Sequence, residues 1–426
     1  MSLGFQNIKS FNILVTNMKQ KGGANMKIRI RSGLILSMLL LVGLVCGITQ
    51  AVAGVPALKP IAEYDGASLY KAGKFNVVEL HGTFRQMGRQ YGYLLKDDLK
   101  KFYTVAIVDG LVKEKHLDYK VGKYVAEEIF SRCPQRFREI FYGIAETSGM
   151  ELEKLLILNE LVTLAHVMGE DVPCSFIATW GDYSADGMMI TGRHFDYPEL
   201  FNKFADFVTV TVFNPTDGSV PTATVGFLGG IEAVTVMNRG GLFAEVNDGT
   251  PSGGNIIMEN RILNFIQILD FLFNSSDMTQ LDAAMFSTQP AVAILLNVAD
   301  SNVSYSYEWA TFGIRRRGQD KPGLLVSTNH FVDPSWKIAH SAGDIFQTLS
   351  RRANLLALGE KYKGEFSVKV MMEVLDTPYA KGGAQRPHNI YETIFVPKDL
   401  KLWVKTLGTS RWEAVDLARH FDNKVN

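Results

Sequence analysis

The chain is poor in cysteine, with three in 426 residues: Cys46, Cys133 and Cys174. So few exclude a disulfide framework and a paired-cysteine zinc site. Net charge is also lacking, because 44 Lys and Arg balance 44 Asp and Glu. Nothing therefore favours nucleic acid or an acidic polymer as a partner. There is no His-x-x-x-His and no close cluster of carboxylates with histidine, so neither a metal nor an organic cofactor is expected. The glycine pairs at 229–230, 240–241 and 253–254 lack the strand–loop–helix context and terminal lysine of a phosphate loop, and hairpin turns explain them. No internal repeat or low-complexity stretch occurs, and beyond residue 55 no apolar run is long enough to span a bilayer. What is present is 46% hydrophobic and 21% charged residues, enough for one large core or two.

The N-terminus reads as an address. Lys27, Arg29 and Arg31 precede an apolar run over residues 34–48, and Ala51-Val52-Ala53 offers small residues for cleavage before Gly54. That is the pattern of a secretory signal peptide. Met26 is the natural start, with residues 1–25 an upstream extension. An uncleaved N-terminal anchor is the lesser alternative. Val45 before Cys46 is too bulky for a lipoprotein site. The mature protein is expected to be exported, periplasmic or extracellular, with no stable membrane span after signal cleavage. Cys133 and Cys174 then meet conditions that permit a disulfide without requiring one.

Periodicity divides the rest. Residues 55–75 read as irregular, and residues 75–80 as a strand. Thr83 caps a helix whose face carries Phe84, Met87, Tyr91, Leu94, Leu95 and Leu99, with Gly88 and Gly92 set for close helix packing. Further helices are expected over 121–147 and 152–167, with Gly149 as the stop between them. At Pro173 the composition changes. Strands are expected at 176–180, 188–191, 207–213, 222–227, 233–237, 242–246, 292–297, 303–309, 323–327, 393–396 and 400–405. Helices are expected at 256–273, 278–286, 343–362 and from Ser367. Strands, helices and strands again imply stacked antiparallel sheets flanked by helices.

The stretch from Val172 to Asp196 carries the most chemistry. It reads as a hairpin around Ser184-Ala185-Asp186-Gly187, whose second strand returns Arg193 and Asp196 towards Cys174 and Ser175. A thiol beside a fixed cation is drawn towards thiolate, although a cysteine among apolar residues is most often a small buried hydrophobe. Cys133, before Pro134, fits that ordinary role. A papain-like site would need a histidine base. His194, His330, His340 and His388 are available, and none has a recognisable context. Asn247 and Asn329 end strands, where asparagine usually serves a turn. Arg351 sits in an apparent helix, where a solvated arginine is the default.

Taken in order, Cys174-Ser175, Gly192-Arg193-x-x-Asp196, Asn238-x-x-Gly241-Leu242 leading to Asn247, Thr328-Asn329 and Gly343-Asp344…Ser350-Arg351 form one pattern. It resembles the choloylglycine hydrolase group of N-terminal-nucleophile (Ntn) enzymes, which includes bile salt hydrolases and penicillin V acylases. The helical segment before Cys174 is similar instead to the acyl-coenzyme A:6-aminopenicillanic acid acyltransferase family, through Gly82-Thr-Phe-Arg-Gln-Met-Gly88-Arg-Gln-Tyr-Gly92. The resemblance spans residues 76–410. It implies an α+β fold, a four-layer αββα Ntn-hydrolase sandwich of two antiparallel sheets with an N-terminal helical leader. The domains would be 1–53, upstream extension and signal; 54–173, a mainly helical leader kept as light chain; and 174–426, the catalytic heavy chain.

The resemblance further implies that cutting Pro173–Cys174 makes Cys174 the N-terminal nucleophile, its own α-amine acting as base. A free α-amine has a pKa of about 7.7–8.0, suited to that task near neutral pH. Arg193 would stabilise the thiolate, Asp196 would bind the new amine, Asn247 would help form the oxyanion hole, and Asn329 and Arg351 would complete the polar frame. Pro173 stands where a glycine would leave the scissile bond freer to strain, and Arg352 adjoins Arg351 as its nearest substitute. The expected partner is a small-molecule N-acyl amide, with homo-oligomerisation left open. Three rivals remain: acyl transfer to an amine, an uncut Cys–His hydrolase, and a non-catalytic binding protein on the same scaffold.

Overall fold

A computed structural model describes residues 55–169, 172–338 and 344–421. The expected signal peptide, upstream extension and His340 lie outside the described residues. Within the leader, the helices are α1 (Phe84–Leu94), α2 (Lys96–Tyr103), α3 (Tyr119–Arg132), α4 (Gln135–Ser148), α5 (Leu152–Asn159) and α6 (Leu161–Val167), with a π-helical stretch over Thr104–Glu114. Thr83 starts α1 with a reciprocal cap: its hydroxyl accepts from the Gln86 N–H at 3.3 Å, and the Gln86 side chain accepts from the Thr83 N–H at 2.9 Å. The helix expected over 121–147 is two, α3 and α4. Pro134 has no N–H to give and forces Cys133 into an extended conformation. The glycines on α1 do what their spacing predicts. A Cβ on Gly88 would lie 2.1 Å from the Ile140 carbonyl oxygen, and one on Gly143 would lie 2.3 Å from that of Arg85. Only glycine lets α1 and α4 cross so closely.

Two sheets carry the rest. The larger runs β1 (Pro60–Tyr64), β2 (Ala67–Ala72), β3 (Phe75–Gly82), β6 (Val208–Pro215), β7 (Thr222–Phe227), β8 (Thr235–Asn238), β9 (Phe243–Asp248), β10 (Ile294–Ala299), β11 (Ser304–Ala310) and β12 (Gly313–Arg317). The smaller runs β13 (Leu324–Ser327), β4 (Ser175–Thr179), β5 (Ile190–Asp196), β14 (Asn389–Val396), β15 (Lys401–Thr406) and β16 (Glu413–Asp416). Their inner faces meet through Phe243 of β9, whose ring lies 6.1 Å from that of Phe176 and 5.7 Å from that of Phe395. Helices α7 (Asn264–Asn274) and α8 (Met278–Phe286) join the leader helices against the larger sheet. Helices α9 (Thr348–Lys361) and α10 (Val368–Leu375) cover the smaller one. A Cβ on Gly192 of β5 would come 2.6 Å from the Met371 sulfur, so α10 packs directly on that strand. The architecture is α+β, an αββα sandwich.

Four expectations change. Residues 55–75 are not irregular but form β1 and β2. Asp65 and Gly66 both have positive φ (49° and 84°) in a two-residue turn between Tyr64 and Ala67, the geometry a right-twisted hairpin prefers. The leader is thus part sheet, and it belongs to the same compact unit as the remainder of the described chain. The larger sheet is not wholly antiparallel, since β3 and β6 run parallel across the long excursion between them. The helix expected from 256 begins at Asn264. Ahead of it Asn260 takes a φ of 57°, and the Arg261 guanidinium is spent on the carbonyls of Pro290 and Thr311 at 2.6 and 2.9 Å.

Candidate active site

The hairpin forms as its sequence suggests, with Ser175 opposite His194 and Thr179 opposite Ile190. Strand β5 continues to Asp196 rather than stopping at 191, and this extension places the returning charge at the level of Cys174. The Cys174 thiol is buried. An Arg193 Nη2 donor lies 3.7 Å from Sγ, and the Asp196 backbone N–H also donates to the sulfur.

Arg193 is held on every side. It bridges the sheets to Glu245 of β9 at 3.0 Å, donates to the Val246 carbonyl at 3.0 Å, and reaches the Val234 carbonyl and the Thr235 hydroxyl. Burial works against its charge, but Tyr391, Glu245 and Cys174 outweigh burial and hold it above its ordinary pKa. The thiol does not follow the simple expectation. Burial pushes Cys174 up to about 11, more than Arg193 and the Asp196 N–H pull it down. Asp196 and Glu245 add to the upward push, so in the uncut chain the sulfur is a protonated thiol at neutral pH.

Asp196 is buried as well, and burial raises its carboxyl to about 6 against the pull of Arg351, Asn389, Arg386 and Arg193. One oxygen accepts from Asn389 Nδ2 at 2.7 Å, whereas the other, Oδ2, has no hydrogen-bond partner. Asn247 is fully buried with neither side-chain atom satisfied. Strand alternation puts it on the same face of β9 as Phe243 and Glu245, the face turned towards the smaller sheet and Arg193. It does not serve a turn.

Asn329 and Arg351 meet. Arg351 Nη2 donates to Asn329 Oδ1 at 2.8 Å, Nη1 donates to the Cys174 carbonyl at 2.7 Å, and Nε donates to the Phe346 carbonyl at 3.0 Å. Asn329 Nδ2 donates to the carbonyls of Val172 and Asp248, at 3.1 and 3.0 Å. Arg351 is therefore buried rather than solvated, and it holds two backbone carbonyls together with the Asn329 side chain. Arg352 is the other one, paired with Asp320. Arg193, Asp196, Asn329 and Arg351 are brought to the segment around Cys174, whereas Asn247 is placed on the inner face of β9 with no hydrogen bond to it.

The described candidate histidines have other partners. His194 lies on the opposite face of β5, its Nδ1 2.8 Å from the Ser175 hydroxyl and its Nε2 2.9 Å from the Leu375 carbonyl. Burial lowers it to about 4. His330 Nδ1 is 2.8 Å from the Thr348 hydroxyl, and His388 Nδ1 is 3.0 Å from Asn202 Nδ2. Cys133 donates its S–H to the Ile129 carbonyl at 3.4 Å, and burial raises it to about 12, the ordinary fate assigned to it. Among the described residues, both Cys133 and Cys174 are free thiols.

No family model and no curated protein matches the chain. Solved structures do resemble it. The Caenorhabditis elegans ortholog of N-acylethanolamine-hydrolyzing acid amidase is 20% identical, with 53% of this chain and 93% of that one covered at a TM-score of 0.41. A mutant form of conjugated bile acid hydrolase from Clostridium perfringens is 13% identical, covering 58% and 93% at 0.42. Penicillin V acylase from Agrobacterium tumefaciens is 11% identical, covering 58% and 87% at 0.39. The last two are enzyme types that the sequence motifs resemble.

A cavity of about 100 Å³ opens from Cys174, and its walls include Val125 and Val162 of the leader with Val234, Val246, Phe265 and Ile294 of the larger sheet and its helix. It is apolar in character and lies between the helices before Cys174 and the larger sheet. His166, not singled out from sequence, lines the same cavity, with its Nδ1 2.9 Å from the Val162 carbonyl. The sequence reading also missed Glu245 and Asn389, the partners of Arg193 and Asp196. Glu245 had a signal: a lone carboxylate between Ala244 and Val246 in a strand must either face solvent or find a cation. Asn389 had none. Among the described residues no group of three or more His, Cys, Asp or Glu could hold a metal ion, and no helix is long and apolar enough to cross a membrane.

Proposed function

We propose that this chain is an exported cysteine amidase of the Ntn type that hydrolyses linear C–N amide bonds of N-acyl substrates through a Cys174 thioester. The observation that carries the reading is the free Oδ2 of Asp196. A buried carboxylate oxygen without a partner, on the residue whose backbone N–H donates to the thiol, is a seat for a cation. The α-ammonium released by cutting Pro173–Cys174 would supply that cation beside the sulfur. The buried thiol needs a base close by, and His194, His330 and His388 have other partners.

In the proposed cycle the neutral α-amine takes the thiol proton as sulfur attacks the acyl carbonyl. Asn247 donates to the developing oxyanion, while Arg193 balances charge on sulfur. The C–N bond breaks, the α-ammonium returns its proton to the departing amine, and water activated by the same amine hydrolyses the thioester. Arg351 and Asn329 fix the Cys174 carbonyl and the Val172 carbonyl on either side of the scissile bond. They are positioning residues.

Intact mass and N-terminal sequencing of the mature protein test the proposal. The expected result is a new N-terminus at Cys174, with Cys174→Ala uncut and inactive. An active protein still joined at Pro173–Cys174 would sink it. Product analysis with a competing amine separates hydrolysis from acyl transfer, since both pass through the same thioester.

A further inference from the structure

A buried polar seam joins the helices before Cys174 to the larger sheet, and the proposed amide chemistry makes no use of it. Asn159 closes α5, and its amide reaches both ways. Oδ1 accepts from the Ile231 N–H at 2.7 Å, and Nδ2 donates to Glu160 Oε1 at 2.7 Å. These bonds bring Glu160, at the joint of α5 and α6, towards Glu232 in the loop from β7 to β8. A second bond holds that loop down, since the Gly229 N–H donates to the Tyr91 hydroxyl at 2.8 Å. Glu160, Thr163 and Glu232 are only 2%, 6% and 7% exposed.

Three side-chain oxygens here have no hydrogen-bond partner: Glu160 Oε2, Glu232 Oε2 and the Thr163 hydroxyl. Thr163 lies one turn on from Glu160, near enough to lower its carboxyl. Its hydroxyl forgoes the backbone carbonyl one turn back, the bond a helical threonine can always make. Among the described residues no Lys, Arg or His lowers either carboxyl. Burial raises Glu160 to about 7 and Glu232 well above its usual range, with Glu160 adding to the latter. Two buried carboxyls within electrostatic reach of each other, and with no cationic side chain, hold either protons or a metal ion. Protons would answer the carboxyls and leave the hydroxyl unmet. An ion answers all three oxygens.

We propose that Glu160, Glu232 and Thr163 bind a calcium ion that ties the helices before Cys174 to the larger sheet. Two carboxylates and a hydroxyl are hard oxygen ligands, and water would complete the shell. Magnesium suits the site less, because it demands near-ideal octahedral geometry and sheds its water reluctantly. The ion displaces the protons of the pair, so calcium enters as protons leave. No sequence spacing announces the site, since Asn159 and Ile231 meet from 72 residues apart. The inference stands apart from the amidase reading.

The test melts chelator-treated, dialysed protein at pH 7.5 and pH 5, with and without calcium chloride, and counts bound calcium by equilibrium dialysis. Calcium at about 100 times its Kd should raise the midpoint by about 3 °C at pH 7.5. At pH 5, where protons compete, the rise should be under about 1 °C. About one ion should bind per chain. Magnesium at the same concentration should give less than half the shift. Glu232→Gln, matched in shape, should melt no lower than the wild type in chelator and lose the calcium shift. Thr163→Val should weaken calcium binding by about 3- to 10-fold. A wild type without a calcium shift overturns the proposal. So does a shift that Glu232→Gln keeps, which would place the ion elsewhere, and an equal magnesium shift overturns the assignment to calcium. Cys174→Ala should respond to calcium like the wild type, so failure of the amidase reading leaves this test intact.

Discussion

Asn247→Ala should slow the enzyme and leave the fold as stable or more so. The side-chain amide is fully buried and neither of its polar atoms has a partner. A structural asparagine in that position would be expected to hold something, and its loss would cost stability. Here there is no bond to lose. An unmet buried polar group costs about 1–3 kcal/mol, and alanine removes two of them at the expense of a small cavity. The net expectation runs from no change to a gain of about 2 kcal/mol. An oxyanion-hole donor, by contrast, is worth about 10²–10³ in kcat, roughly 3–4 kcal/mol of barrier. Urea denaturation and single-turnover acylation by an activated ester, on matured wild type and variant, read the two quantities separately. A variant destabilised by more than about 1.5 kcal/mol, or one that acylates at the wild-type rate, would refute the assignment of Asn247 to the transition state.

Arg351→Lys should impair self-cleavage and weaken the fold together, because lysine cannot replace the three directed bonds to Cys174, Asn329 and Phe346. A loss of about 2–4 kcal/mol in denaturation and uncut protein on a gel are expected. His194→Gln should cost stability and leave ester acylation of Cys174 within a few-fold. An abolished acylation would instead revive the Cys–His rival. Gly88→Ala should destabilise strongly, about 3 kcal/mol or more, since the new methyl would lie 2.1 Å from a backbone oxygen that cannot step aside. Stability should also fall from pH 5 to pH 8. Burial raises Glu160 from 4.5 to about 7, so its contribution is complete below about 4.5 and is lost as pH rises through 7. That loss is on the order of 3 kcal/mol. Glu232, pushed up by burial and by Glu160, has the same sign. Glu160→Gln should flatten the slope in thermal melts, and an unchanged slope would place the titration elsewhere.

Much of this was legible because local chemistry and fold agree. Thr83 with Gln86, Gly88 with Gly92, Gly149 and the alternation after Pro173 each specify a local structure that tertiary packing then keeps. The first hairpins were missed although Asp65-Gly66 is a strong turn signal, because the weakly alternating, largely exposed residues of β1 hide a strand that edges the sheet. At the site, the ordered motifs and the resemblance they carry singled out Cys174, Arg193, Asp196, Asn247, Asn329 and Arg351. They could not show that Glu245 compensates Arg193, that His194 faces away, or that Arg386 comes within electrostatic reach of Asp196 and Arg351. Those facts depend on which strands become neighbours. Asn389, 193 residues from its partner Asp196, meets it only through the pairing of β14 with β5.

On the proposed mechanism, the same burial that hides Cys174 also times its reactivity. In the uncut chain Cys174 is raised to about 11 and Asp196 to about 6, so thiolate and carboxylate are both costly. Arg193 lowers both, but burial outweighs it. A cut at Pro173–Cys174 would alter the balance with a single group. The α-ammonium gives Asp196 a counter-charge and lowers its carboxyl, Asp196 in turn raises the amine, and the neutral fraction of that amine becomes the base the thiol lacks. Burial, which opposes thiolate formation before the cut, would then favour catalysis by strengthening every charge interaction around the buried sulfur. The uncut Cys174 thiol should accordingly react slowly with iodoacetamide at pH 7 and the mature one at least about tenfold faster, as thiolate fraction dictates. Equal rates would mean that Asp196 and the new amine do not meet.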